Sequence, residues 1–376
     1  MSAQATNRPF MLGVAHPGED AKAMLDVGLQ WARPVYTPYP YAADGSLSEP
    51  YIRCRDQLRR LHDGGMEILA ISPQPKEFID AGMMPTTPAA LGHVRDVCRF
   101  IAKDLADCVS AWQIGNELCF VYFRSPLSDE EACEFIIQSM LGMREGNPGA
   151  MLGHNSLEDW MGWLPWCRRI EDATGGSDYI GFDLYAGSWS PGWVETYIER
   201  IDKIYEELHL PVILAEFGYA SRGEVSPDLE ADMLAWLKER GFNGYQDMEN
   251  RLDEVIPLMP GRMRETMLRA GNKKDQLSYF YQSKSHIIHK WWKTSDNPHD
   301  EETQKRFFDQ LLGRLIDHPH TIGAIAYCWQ DYPVCYACGS ANCPCETAWG
   351  LIREDGSEKP VTEVFRKYAA LLNAKK

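Results

Sequence analysis

Short apolar runs alternate along the chain with longer segments whose apolar residues recur every three or four positions. The short runs, at 10–14, 31–36, 67–72, 110–116, 150–154, 179–185, 211–217 and 322–329, read as buried strands. Between them, 20–29, 51–63, 88–105, 129–143, 157–172, 194–208 and 301–316 carry helical periodicity. A last helix, 361–372, follows Pro360, a residue favoured at helix starts. Eight strand–helix units in alternation predict parallel strands joined by crossover helices. Eight is also the number that closes a (β/α)8 TIM barrel, an α/β fold of typically about 250 residues. No Gly-x-Gly-x-x-Gly follows an early strand, which disfavours an open doubly wound sheet.

The chain, at 376 residues, is longer than such a barrel needs. About 80 residues separate the seventh strand from its helix, too many for a structureless loop in a compact chain. That stretch has helical patterns of its own at 226–240, 247–256, 262–270 and 276–292. The organisation expected is one catalytic domain over 1–376, with a helical insertion at 222–300 and a Cys-rich loop at 331–348. Both additions follow strands and so belong to the C-terminal face, where barrel active sites sit.

Composition narrows the function. Lys and Arg number 38 against 54 Asp and Glu, a net charge of −16, which disfavours a nucleic-acid partner. No run approaches the ~20 apolar residues of a membrane span, so no membrane partner is expected. The opening MSAQATNRPF lacks the basic start and apolar run of a secretory signal, so a cytoplasmic location is expected. Seven scattered cysteines (Cys54, Cys98, Cys108, Cys119, Cys133, Cys167 and Cys328) fit free thiols in a reducing compartment. Several tryptophans, among them Trp163, Trp189, Trp193, Trp329 and Trp349, lie near Gly, Pro or Asp rather than inside apolar runs. Their flat faces suit sugar rings, although packing accounts for most individual tryptophans. Nothing in the sequence speaks to oligomeric state.

The candidate chemistry lies at the ends of the strands. His16 follows the first and Arg33 falls in the second; Asn116 and Glu117 follow the fourth, and His154 and Asn155 the fifth. Asp183 and Tyr185 come from the sixth, Glu216 from the seventh, and Trp329 and Asp331 from the eighth. A Glu closing a buried strand is costly unless it emerges into a polar cleft with partners. Glu117 and Glu216 each close such an apolar run. Asn116-Glu117 after strand four and Glu216 after strand seven resemble the retaining glycoside hydrolases of clan A, the 4/7 superfamily. Arg33, Tyr185 and Trp329 match that pattern too, as does the run Trp349-Gly-Leu-Ile-Arg-Glu-Asp-Gly-Ser-Glu-Lys-Pro360 leading into the last helix.

The resemblance implies Glu216 as nucleophile and Glu117 as acid and then base. Arg33 and Tyr185 would support Glu216, Asn116 would meet the sugar 2-hydroxyl, and Trp329 would floor the sugar site. Two carboxyl groups about 5–5.5 Å apart perform such double displacement. His16 and His154 can bond sugar hydroxyls or be structural; Asp183 can bind substrate or orient a neighbour, and Asp331 can bind substrate or cap its loop. The function expected is a retaining β-glycosidase acting on β-linked oligosaccharides or small glycosides. The alternatives are an inactive carbohydrate-binding barrel and a zinc-dependent hydrolase. No cofactor is expected for catalysis. Cys335, Cys338, Cys343 and Cys345 fit a tetrahedral structural zinc site, with two disulfides or four free thiols as the other readings.

Overall fold

The computed structural model describes residues 9–157 and 162–375. Eight strands, Met11–Ala15, Trp31–Arg33, Glu67–Ile71, Ala111–Ile114, Met151–Leu157, Tyr179–Leu184, Val212–Phe217 and Thr321–Tyr327, form a closed barrel. Every neighbouring pair is parallel, and the first strand pairs with both the second and the eighth. The fold is the (β/α)8 barrel that the alternation predicts.

The two faces of each strand divide the core. Val14, Trp112, Ile114, Phe182 and Leu214 pack outward beneath the helices. Met11, Ala15, Leu69, Ala111, Met151, Ile213 and Ile325 point inward and fill the barrel. Polar caps set the helix starts. Ser128 and Glu131 form a reciprocal capping box for Asp129–Gly146, and Asp300 accepts from the Thr303 amide at the start of Glu301–Leu315.

Several boundaries differ from the sequence reading. The second strand stops at Arg33, because Pro34 offers no amide to a ladder. The fourth stops at Ile114, because Gly115 turns to a φ of 69°. The helix read at 157–172 is Leu164–Thr174; strand five occupies residue 157, and 158–161 lie outside the described residues. A short helix at Pro75–Asp80 has too few residues to show a period.

The excursion after strand seven is helical, with segments Leu229–Glu239, Tyr245–Asn250, Leu252–Val255, Gly261–Ala270, Lys273–Gln282 and Lys284–Ile288. The run read as one helix at 276–292 breaks at Ser283 and ends before His289, whose φ is 61°. Trp291–Trp292 then pairs in parallel with Val225–Ser226 and closes the excursion at its base. Met233, Leu237, Met263, Met267 and Phe280 of the excursion form one apolar cluster with Ile213, Tyr327 and Trp349. The excursion therefore covers part of the barrel's C-terminal mouth. No helix among the described residues is long and apolar enough to cross a membrane.

Candidate active site

Glu216 owes its direction to an irregularity in strand seven. Val212, Leu214 and Phe217 join the outer core, whereas Ile213 and Ala215 join the inner one. Strict alternation would send Glu216 outward, but the ladders to strands six and eight both shift register beside it. This bulge places Ala215 and Glu216 on the same side and turns the carboxylate into the mouth.

There Arg33 meets it. The fully buried guanidinium donates from Nη1 to Glu216 Oε1 at 2.6 Å, from Nη2 to Asn116 Oδ1 at 2.5 Å and from Nε to Gln113 Oε1 at 2.8 Å. A buried cation needs this degree of satisfaction. Tyr185 OH donates to the other Glu216 oxygen at 2.6 Å.

Glu117 reaches the same place from strand four. Its φ is 49°, a left-handed conformation that costs a non-glycine residue on the order of 1–3 kcal/mol. The turn is held by its amide, which donates to Asn155 Oδ1 at 2.7 Å; Asn155 Nδ2 in turn donates to Asp183 Oδ1 at 3.0 Å. One carboxyl oxygen each from Glu117, Asp183 and Glu216 lie within 4.8 Å of one another. Burial holds the Glu117 carboxyl well above the usual carboxylate range, reinforced by the charges of Asp183 and Glu216. Burial and the Glu216 charge do the same to Asp183. Three acids this close could share a cation by distance alone, and Arg33 already supplies a positive charge to the group through Glu216.

His16 lies at the edge of this network, also with a positive φ of 48°. Its Nδ1 is 2.6 Å from Tyr332 OH and its ring stands edge-on to Tyr327 at 5.1 Å. Burial lowers it to about 4, so it is neutral at ordinary pH. A cleft of about 260 Å³ adjoins it, walled by Pro17, Gly18, Pro34, Val35, Gln57, Trp329, Gln330 and Tyr332.

Three of the candidates lie away from the carboxyl pair, and for His154 and Asp331 this is the structural one of the two readings the sequence left open. His154 does not face the mouth: Asn155 takes the inward position, so its neighbour points to the helices, 3.1 Å from Glu171. Asp331 is a loop anchor, with Lys359 Nζ 2.8 Å away and the Gly350 amide donating at 2.8 Å. Trp329 walls the adjoining cleft, packed against Gly18. The aromatic that strand eight brings near Tyr185 is Tyr327, at 6.1 Å between rings.

The Cys-rich loop folds back over this region. Cys335, Cys338 and Cys343 bring their sulfurs within 4.8 Å of one another, and Cys343, Cys345 and His286 form a second such group. Next to them Glu346 accepts from Tyr327 OH at 3.2 Å, its own carboxyl pushed up to about 8 by burial, with the Glu216 charge adding. Gln113, Tyr327, Tyr332, His286 and Glu346 were missed from sequence. Gln113 left a signal, as a polar residue inside an otherwise apolar strand; the others become visible only when the loops are placed.

The fold and the mouth together define a (β/α)8 barrel with clustered carboxyl groups at the C-terminal ends of strands four, six and seven. No protein-family model and no curated protein sequence matches the chain. Its structure is similar to the GH53 catalytic domain of Ignisphaera aggregans, at 14% identity and a TM-score of 0.61, covering 97% of this chain and 98% of that one. It is similar also to the β-D-glucuronidase of Dictyoglomus thermophilum, at 13% identity and a TM-score of 0.53, over 96% of this chain and 50% of that one. A third is the GH2 β-galacturonidase of Eisenbergiella tayi bound to galacturonate, at 12% identity and 0.55, over 97% and 52%. The chain thus spans nearly all of the GH53 domain and about half of the other two. These neighbours are glycoside hydrolases, the class that the strand-end residues resemble. At such identities the likeness establishes the fold, and activity has to be argued from the side chains.

Proposed function

We propose that the chain is a glycoside hydrolase that cleaves β-linked oligosaccharides or small glycosides with retention of configuration. The observation that carries this reading is the pair Glu117 and Glu216, with carboxyl oxygens within 4.8 Å in unlike surroundings. Inverting enzymes keep their carboxyl groups roughly 6.5–9.5 Å apart to seat a water, and retaining ones about 5–5.5 Å.

Glu216 is the nucleophile. Arg33 balances its charge and, with Tyr185, fixes its orientation toward the anomeric carbon. Glu117 is the acid: its raised proton affinity keeps a proton available for the leaving oxygen at neutral pH. Once Glu216 has become an ester its charge is gone, and with it one cause of the raised Glu117 value. Glu117, having given its proton to the leaving oxygen, then stays ionised and takes the proton of the water that releases the sugar. Asn116, its Oδ1 held by Arg33, presents Nδ2 to the sugar 2-hydroxyl. Asp183 is a positioning residue that holds Asn155, and through it the Glu117 turn.

The test is kinetic and stereochemical. A panel of aryl β-glycosides should identify a substrate, and proton NMR should show the β-anomer as the first product. Glu216→Gln and Glu117→Gln should each lower kcat/KM by about 10³-fold or more on substrates with poor leaving groups. With an activated aryl leaving group Glu117→Gln should lose less, since that group departs without a proton. The rate should fall on the alkaline side as Glu117 ionises. First appearance of the α-anomer would overturn the mechanism; sugar binding with no turnover of any glycoside would leave a binding barrel instead.

A further inference from the structure

The Cys-rich loop and the helical excursion meet at a cluster that the proposed catalysis does not use. Cys335, Cys338 and Cys343 are buried, carry no disulfide, and have their sulfurs within 4.8 Å of one another. The Cys335-x-x-Cys338 segment closes as a tight turn, with the Gly339 amide donating to the Cys335 carbonyl at 2.7 Å. Gly339 has a φ of 76°, which a side chain would resist. Facing this turn is His286, from the excursion helix Lys284–Ile288. Its Nδ1 lies 3.4 Å from Cys335 Sγ and 3.7 Å from Cys343 Sγ.

Those two separations are informative. Zinc bonds of about 2.3 Å to sulfur and 2.0–2.1 Å to nitrogen, opened to a tetrahedral angle, put S and N about 3.6 Å apart. The other imidazole nitrogen, Nε2, is 3.9 Å from Glu346 Oε1. A carboxyl group behind a ligating histidine is a common outer partner of a metal site, here at ion-pair rather than hydrogen-bond distance. Four cysteines alone would leave this imidazole, with its carboxylate partner, unexplained.

We propose that Cys335, Cys338, Cys343 and His286 hold a zinc ion, with Cys345, which groups with Cys343 and His286 but not with Cys335 and Cys338, beside the site rather than in it. The three thiols lose their protons to solvent on binding, and the neutral imidazole ligates through Nδ1. Four protein ligands leave no open position, so the metal is structural. It ties together two segments about fifty residues apart in sequence, closing a long loop of chain. It also sets Glu346, whose second carboxyl oxygen accepts from Tyr327 OH at the barrel mouth. The excursion and the loop are thereby held as one cap over that mouth.

The purified full chain, grown with zinc, should contain about one metal per molecule, and its cobalt(II) derivative should show tetrahedral bands with charge transfer from three thiolates. Cys345→Ser should keep both the stoichiometry and the spectrum. His286→Ala should weaken zinc binding by at least ten-fold and change the spectrum. Glu346→Gln should weaken binding about 10–100-fold without changing the ligand count. The cobalt spectrum of the unaltered protein decides the ligand set even where a variant fails to fold. A four-thiolate spectrum, or zinc lost in Cys345→Ser and kept in His286→Ala, would overturn the assignment of His286. Metal-free protein with a mass 2 Da lower for each disulfide, or with four free thiols that bind no zinc, would overturn the site.

Discussion

The barrel mouth and the cap above it are built on opposite principles. At the mouth, single side chains from different strands converge: Arg33 reaches Gln113, Asn116 and Glu216, and Asn155 links Glu117 to Asp183. The strands fix each position through the barrel itself, so charges can be buried with their partners already in place. In the cap, short helices and a loop pack through Met, Phe and Cys, with His286 crossing from one to the other. The mouth is preorganised by regular structure, whereas the cap depends on contacts between irregular pieces. Chemistry that relies on oriented charge belongs in the first setting.

Breaking an ion pair in each region tests that difference. Arg33→Met removes the cation from the mouth and leaves Glu216 buried without its partner. A loss of about 3–5 kcal/mol in urea stability is expected, together with near-complete loss of turnover. Lys359→Met is the matching change at the base of the cap. Lys359 Nζ donates to Asp331 and, at 2.7 Å, to Ser221, joining the loops after strands eight and seven. The Gly350 amide still supports Asp331 in that variant, so the stability loss should be smaller, about 2–3 kcal/mol, and kcat should change only a few-fold. The deficit should shrink as pH falls, since the stranded Asp331, already raised by burial, can then take a proton. Equal kinetic damage from both variants would show that the cap's anchor is part of the catalytic machinery and erase the contrast.

The same contrast explains what could be read in advance. Barrel strands announce themselves by apolar runs, and the residues that end them fall at the mouth whatever the loops do. Arg33, Asn116, Glu117, Asn155, Asp183, Tyr185 and Glu216 were accessible for that reason. Their directions were not. Glu216 turns inward only because of the strand-seven bulge, and of the neighbours His154 and Asn155 only one can face the mouth. Strand eight poses the same problem: the aromatic it brings near Tyr185 is Tyr327, two residues before Trp329. The cap carries no comparable period. Glu346 follows a cysteine in a loop and His286 sits in a five-residue helix, so neither has a local signature. Their meeting depends on tertiary packing of segments that sequence spacing does not relate.

His16 marks the seam between the two regions, and its titration gives the smallest expected effect. The side chain comes from the barrel, but its Nδ1 partner, Tyr332, comes from the loop after strand eight. Burial lowers it to about 4, from an ordinary value of 6.5; the Glu216 charge opposes that shift and Arg33 adds to it. The native state therefore prefers the neutral imidazole, while the unfolded chain takes up a proton once the pH drops below about 6.5. Stability from this group is fully present above that pH and is lost as the pH falls toward 4. Allowing for the partial solvent access of the ring, the loss by pH 4.5 should be on the order of 1–2 kcal/mol. His16→Asn removes the titration. Comparing urea midpoints of the two proteins at pH 7 and 4.5 cancels the carboxyl groups they share, and the variant should lose less stability than the parent over that interval. An equal loss in both would mean that the imidazole is solvated in the native state, and that the loop bearing Tyr332 does not close over the mouth.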